Sequence, residues 1–339
     1  MSKAPKPPVT RSKIVTLKHV SALGLSTALI LGLASCADPT TTANAQNPTS
    51  ESAEGQDTVT YNTAPEQDRV RSTKDEKLAA NVPEPIAHDG KLTVATSAGS
   101  VPLTFHASDN TTLIGTETDI AQLVADKLGL ELDLKLTSWE NWPLQTDSGA
   151  VEVVFSNVGI NSERIKKYDF ASYRAAYMGF EAKTDFAGTV AGAKDISGKK
   201  VSVGSGTNQE KILIAWNKEL TESGKAPAEL AYYSSDADTI LALASGRVDL
   251  NFAPYPTTVY REHTRDDTKV VGKINAGWPN ETLVAATAKR GNGLAEPISA
   301  AINSLIAEGS YAKVLERWGL SEEAIPTSNA VTKENYTGN

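Results

Sequence analysis

The chain has 339 residues, 40% hydrophobic and 22% charged, with a formal net charge of −8 and one cysteine, Cys36. Its basic residues are interspersed rather than clustered, which argues against nucleic acid as a partner. A lone cysteine excludes an internal disulfide, and the roughly 300 residues left after a leader suffice for about two domains.

Residues 1–19 hold Lys3, Lys6, Arg11, Lys13 and Lys18 and no acid, and an apolar run with scattered Gly and Ala follows from Val20 to Leu33. At about 14 residues this run is short for a membrane span and suits the core of a signal peptide. Residues 1–35 are therefore expected to be a leader. It ends at Leu33-Ala34-Ser35-Cys36, which resembles the lipobox of bacterial lipoproteins. The resemblance implies cleavage before Cys36, a diacylglycerol on its sulfur and, in some bacteria, acylation of the new N-terminus. Two acyl chains hold a protein stably on a membrane, so the expected location is the extracytoplasmic face of the cell membrane. Residues 36–85, rich in Thr, Ser, Asn, Gln, Pro and acids, read as a flexible polar tether.

From Gly90 the pattern becomes that of a folded body. Residues 90–96 alternate like an opening strand. Thr116 is placed to cap a helix, with Asp119 three residues on, an apolar face of Ile120, Leu123, Val124 and Leu128, and Gly129 at its end. Residues 130–136 alternate apolar with charged, a strand with one wet face, and Trp139 and Trp142 follow. The stretch 153–164 then runs from an apolar strand through a turn at Gly159 into a helix start. Asn161 is a good N-cap type there, and Glu163 puts an acid in the first turn. The free backbone N–H groups of such a start favour an anion. Arg164, always charged, can grip a carboxylate with two parallel hydrogen bonds, and no catalytic group stands beside it.

After Phe186 the pattern begins again. Residues 199–203 are strand-like, Ser205-Gly206 turns, and Thr207-Asn208-Gln209-Glu210 forms a capping box that opens a second helix and a second place for an anion. The Lys-Ser/Thr pair of a P-loop is missing, and Gln209 stands where a dinucleotide fingerprint needs glycine. Asp236-Ala237-Asp238 is expected to cap a helix through Ile240, Leu241 and Leu243. Strands at 249–253 and 283–288 and helices at 297–307 and 310–318 complete the chain. Alternating strands and helices predict an α/β protein of two lobes.

These residues resemble the family-3 extracellular solute-binding proteins, the polar amino acid receptors of ABC importers, over about residues 89–320. The similarity is carried by an ordered set: Gly90-Lys91-Leu92-Thr93-Val94, Thr118-Asp119-Ile120-Ala121, Ser148-Gly149-Ala150-Val151-Glu152, Glu163-Arg164 through Asp169-Phe170, Gly198-Lys199-Lys200-Val201, Ser205-Gly206-Thr207, Gly246-Arg247-Val248-Asp249, and the closing stretch from Gly309 to Gly319. It implies a periplasmic-binding-protein-like fold of type II, two α/β lobes joined by a two-segment hinge. Residues 86–182 and 277–322 would form one lobe and 183–276 the other, with crossings near Ala182 and Ala276 and a flexible tail from 323 to 339.

The resemblance also implies ligand contacts. Arg164 would clamp a ligand carboxylate, helped by the Gly159 N–H, while the Asn157 carbonyl accepts from an ammonium group. Trp139 would form an aromatic wall, and Thr207 and Asn208 would close from the second lobe. Departures from the family occur at the ammonium end. Pro254 stands where relatives place an aspartate, Ser100 where some carry a stacking aromatic, and Tyr173-Arg174 where Pro-Tyr is usual. Either Asn251 or Tyr255 takes the ammonium, or the ligand is not a simple α-amino acid.

An enzyme is disfavoured: His88, His106 and His263 lack metal-ligand spacing, and no Gly-x-Ser-x-Gly elbow is present. No cofactor, metal or catalytic residue is expected. The expected partners are a small carboxylate-bearing solute, a permease with its ATPase, and the membrane through the lipid, the protein itself being a monomer. The alternatives are a two-lobed sensor or adhesin lipoprotein uncoupled from import, and a dehydratase on the same fold.

Overall fold

In the computed structural model, which describes residues 60–337, the longer strands sort into two sheets. The signal peptide (1–35), the lipidation site Cys36 and the start of the expected tether lie outside the described residues. The first sheet has the order Ala330–Val331, Tyr168–Ala175, Leu283–Lys289, Val153–Val154, Lys91–Ser97, Glu131–Thr137. The second runs Thr268–Asn275, Tyr177–Lys183, Leu250–Pro254, Lys200–Val203, Glu229–Tyr232. In each sheet the strands joined through helices pair in parallel, and the strands that connect the lobes pair antiparallel.

The helix Thr116–Leu128 covers the first sheet with the apolar face read from the sequence: Ile120, Leu123, Val124 and Leu128 are all buried. Its N-cap is Gly115 rather than Thr116. Gly115 has φ 127°, and a Cβ there would lie 2.3 Å from the Leu103 carbonyl oxygen, so only glycine fits the entry to this helix. Thr116 turns inward instead and donates to the Pro102 carbonyl at 3.2 Å. In the second lobe, Phe180 on Tyr177–Lys183 stacks on Phe252 at 3.9 Å between centroids and on Trp216 at 5.8 Å. All three are buried, which fixes helix Asn208–Glu222 against the sheet.

The crossings fall at small buried residues. Ala176 alone separates Tyr168–Ala175 of the first sheet from Tyr177–Lys183 of the second, earlier than the Ala182 expected. Ala182 pairs with Lys269 well inside the second sheet. The sequence hid this because 168–183 is one continuous strand-forming run without Pro and with Gly only at 179. The return runs through residues 276–282.

Both flanks differ from the flexible segments expected. Residues 60–85 are docked on the body: Arg69 pairs with the fully buried Asp119 at 2.9 Å, and Arg71 with Asp126 at 2.6 Å. Tyr61 lies edge-on to Tyr260 of the second lobe at 4.9 Å and stacks on Trp318 of the first at 6.5 Å. Beyond residue 322 the chain is likewise ordered. Glu323 is buried against Arg174, and Ala330–Val331 adds an edge strand beside Phe170 and Ala171. Apolar contacts work beside these charge pairs: Val82, Ile86 and Ile325 are buried in the core, and Tyr61, Val70 and Leu78 pack against it.

Glu323 and Glu117 share Arg174, all three buried. Burial outweighs the attraction of Arg174 and pushes the Glu323 carboxyl from 4.5 up to about 7. Between those values the folded protein keeps a proton that the unfolded chain releases, so stability falls as pH rises through this window. The span corresponds to on the order of 3 kcal/mol. Urea unfolding of wild type and Glu323→Gln at pH 4.5 and 7.5 should show that loss in the wild type and its absence from the variant's difference.

Candidate ligand-binding cleft

A cavity of about 250 Å³ lies between the lobes. The first lobe contributes the turn after Lys91–Ser97, with Trp139, Ser156 and Asn157; the second contributes Thr207, Asp236, Asn251 and Pro254. No lysine or arginine lines it.

The first-lobe wall is built by the turn after Val153–Val154. Asn157 sits at φ 53°, a left-handed conformation that asparagine tolerates better than most residues. Its side-chain oxygen accepts from Arg174 Nη2 at 2.8 Å, which holds the turn to the Arg174 cluster. The helix expected after Asn161 is a single 3₁₀ turn, Arg164–Lys166, because the strand at Tyr168 begins too soon for more. Asn161 Oδ1 does cap it, accepting from the N–H groups of Glu163 at 3.1 Å and Arg164 at 2.9 Å. Those N–H groups are thereby occupied, so the anion-favouring helix start read from the sequence is absent here.

Arg164 remains. Its Nη1 donates to the Gly159 carbonyl at 2.8 Å and its Nη2 reaches across to the Gly206 carbonyl of the second lobe at 3.1 Å. The guanidinium carbon lies 5.2 Å from the Trp139 ring centroid and 5.7 Å from that of Trp142. It forms no ion pair among the described residues, and burial lowers its pKa to about 10. A partly desolvated charge with only neutral acceptors favours an anion.

The second-lobe turn meets it. Thr207 Oγ1 accepts from the Glu210 N–H at 3.1 Å and donates to the Gly204 carbonyl at 2.7 Å, while Glu210 reaches back to the Gly206 N–H at 2.7 Å. This capping box closes one residue earlier than the expected Thr207 N–H. Asn208 Oδ1 accepts from Asn161 Nδ2 at 2.9 Å, and Trp139 Nε1 donates to the Ser205 carbonyl at 3.1 Å. The lobes therefore touch through the residues singled out in the sequence.

Of those residues, Trp139, Asn157, Thr207 and Asn251 line the cavity. Arg164, Gly159 and Asn208 form the interlobe contact at its margin. Asn208 also lines a neighbouring cavity of about 500 Å³, with Asn161, Lys211 and Trp278. Asn251 is committed to the interior: its Oδ1 accepts from Ser202 at 3.0 Å and its Nδ2 donates to Glu181 at 3.0 Å. Tyr255 lines neither cavity and lies 4.4 Å under the Lys273 ammonium. The sequence reading missed three cavity-lining acids, Glu117, Glu140 and Asp236. Asp236 was hidden by its expected role as a helix cap, which Ser235 fills.

The sequence profile of the bacterial extracellular solute-binding proteins, family 3, matches residues 92–321. The chain belongs to this family. It is 30% identical over 250 residues to the L-cystine-binding protein TcyJ of Escherichia coli (strain K12), a match covering 74% of this chain and 88% of that protein. To the arginine-binding protein ArgT of Corynebacterium glutamicum it is 25% identical over 248 residues, covering 73% and 80%. An ancestral arginine-binding protein solved with arginine superposes with a TM-score of 0.59 and 26% identity, covering 68% of this chain and 98% of that one. The fold is thus the type II fold of periplasmic binding proteins.

In this solute-binding protein Gly159 sets how closely the lobes approach. A Cβ at 159 would stand 2.7 Å from Asn208 Nδ2, whose side chain is held by Asn161. Gly159→Ala should displace that amide and weaken binding of the tightest amino acid ligand by about tenfold, roughly the worth of one such hydrogen bond. Isothermal titration calorimetry measures it.

Proposed function

We propose that the protein is the lipid-anchored, extracytoplasmic receptor of an ABC importer, capturing an amino acid or a related carboxylate-bearing solute by closure of its two lobes. Arg164 carries this reading. It is a half-buried guanidinium bonded to two neutral carbonyls, one from each lobe, with no acid paired to it among the described residues. A ligand carboxylate is the counter-charge that such a group lacks. The relatives' ligands, cystine and arginine, both carry one.

In this scheme the ligand docks on the first lobe at Arg164, beside Trp139 and the turn at Asn157 and Gly159. The second lobe then brings in Thr207 and Asn208. Because the ligand touches both lobes only when they meet, it draws the population toward the closed form, which the permease would recognise. Cys36 would carry the lipid, and residues 37–59 would give the body reach from the membrane.

Replacing Arg164 by Ala removes a cation that bridges the lobes at the cleft margin. With soluble protein beginning near residue 60, L-arginine, L-cystine and L-glutamine would be titrated against wild type and Arg164→Ala. Loss of a charge-assisted pair with the ligand carboxylate costs up to about 3 kcal/mol, so affinity for the bound member should fall by as much as roughly 100-fold. Unchanged affinity would remove the carboxylate clamp from the mechanism.

A further inference from the structure

Three acids line the cavity: Glu117, Glu140 and Asp236. Glu140 is exposed. Both oxygens of Glu117 are taken, one by Arg174 at 2.6 Å and the other by the Tyr173 hydroxyl. Asp236 differs. Its Oδ1 pairs with Arg261 Nη2, and no hydrogen bond reaches its Oδ2 among the described residues.

The charge count behind it does not balance. Arg261 is buried between two acids, Asp236 and Glu181, and gives Glu181 Oε2 a bond of 2.6 Å. Asn251 donates to that same Glu181 oxygen, while Glu181 Oε1 is buried without a partner. One cation thus serves two carboxylates, leaving the cluster with an excess negative charge. Asp236 is its only member in the cavity wall that bears a charge. At the cleft margin Arg164 carries the opposite excess. The cleft therefore has two poles, one seeking a carboxylate and one seeking a cation.

We propose that Asp236 accepts the ammonium group of the ligand, so that the solute is a zwitterionic amino acid rather than a simple carboxylate. This rests on the reading that Arg164 holds the carboxylate. Asp236 opens the helix Asp236–Ala244 in the second lobe, whereas Arg164 belongs to the first. The two charges of one ligand are thereby shared between the lobes, and the ammonium bond forms only on closure. Desolvation raises the Asp236 carboxyl above its usual range despite Arg261, as befits a carboxylate still short of positive charge. Of the two side chains first expected at this task, Asn251 has spent its acceptor on Ser202 and Tyr255 lies outside the cavity.

The test compares each amino acid with its α-deaminated twin: L-arginine with 5-guanidinopentanoate, L-cystine with 3,3′-dithiodipropionate, and L-glutamine with 5-amino-5-oxopentanoate. Calorimetry on wild type, Asp236→Asn and Asp236→Glu gives the amine preference as a ratio of affinities. Wild type should prefer the amine-bearing member of the bound pair by about 10- to 100-fold. Asp236→Asn should bring the ratio to within about threefold, and Asp236→Glu, which keeps the charge, should retain most of it. A merely structural role for Asp236 would weaken both members equally and leave the ratio intact, and that result overturns this inference alone. Wild-type protein that binds the deaminated member as well as the amino acid also overturns it while leaving the carboxylate clamp standing. If wild type binds no member of any pair, both readings fall.

Discussion

The Ala276 N–H donates to the Ala176 carbonyl at 2.9 Å, and this bond ties together the two places where the described chain passes between the sheets. On either side of it the same two crossings continue as antiparallel pairs, Tyr177 with Asn275 in one sheet and Ala175 with Leu283 in the other. The hinge is thus a pair of strands shared in turn by two sheets. A small change of backbone angles at a few residues can swing one lobe without disturbing the packing of either. Both residues at the bond are alanine, which leaves the crossing uncrowded. Every cleft contact, from Trp139–Ser205 to Asn161–Asn208, depends on the orientation this hinge permits.

Charge is arranged around that hinge in a repeated way. In the first lobe Arg174 lies between Glu117 and Glu323, and in the second Arg261 lies between Glu181 and Asp236. Each trio puts one acid into the cavity wall and keeps the other two groups behind it. Buried ion pairs of this kind add little net stability, because desolvation offsets their attraction, but they fix side chains in place. The Arg174 trio also positions the Asn157 turn. The tail beyond residue 322 therefore bears on the cleft although it lies well away in sequence.

Much of this was legible from the residues. Periodicity and glycine stops located helices such as Thr116–Leu128, and the ordered family residues pointed to the cleft through Arg164, Gly159, Thr207 and Asn208. What was not legible has a common physical cause. The pairs of Arg69 and Arg71 with the first lobe, the buried Glu323 and the trio at Arg261 all depend on charges meeting across long sequence separations. A hydrophobic pattern carries no trace of such meetings. The crossing at Ala176 was missed for a different reason, since a strand that changes sheets without turning leaves no punctuation. Asp236 was visible as a residue but not as part of the cleft, because capping chemistry explained it too easily.

The bond from Trp139 Nε1 to the Ser205 carbonyl has a use beyond holding the lobes. The indole belongs to one lobe and its hydrogen-bond partner to the other, with the Arg164 charge 5.2 Å from the ring. Separation of the lobes would expose that ring to water and remove the carbonyl in one movement, whereas Trp216 and Trp318 stay buried inside their own lobes. The molecule therefore contains its own optical gauge of cleft width. Its emission would report any parting of the lobes in real time, without any dye.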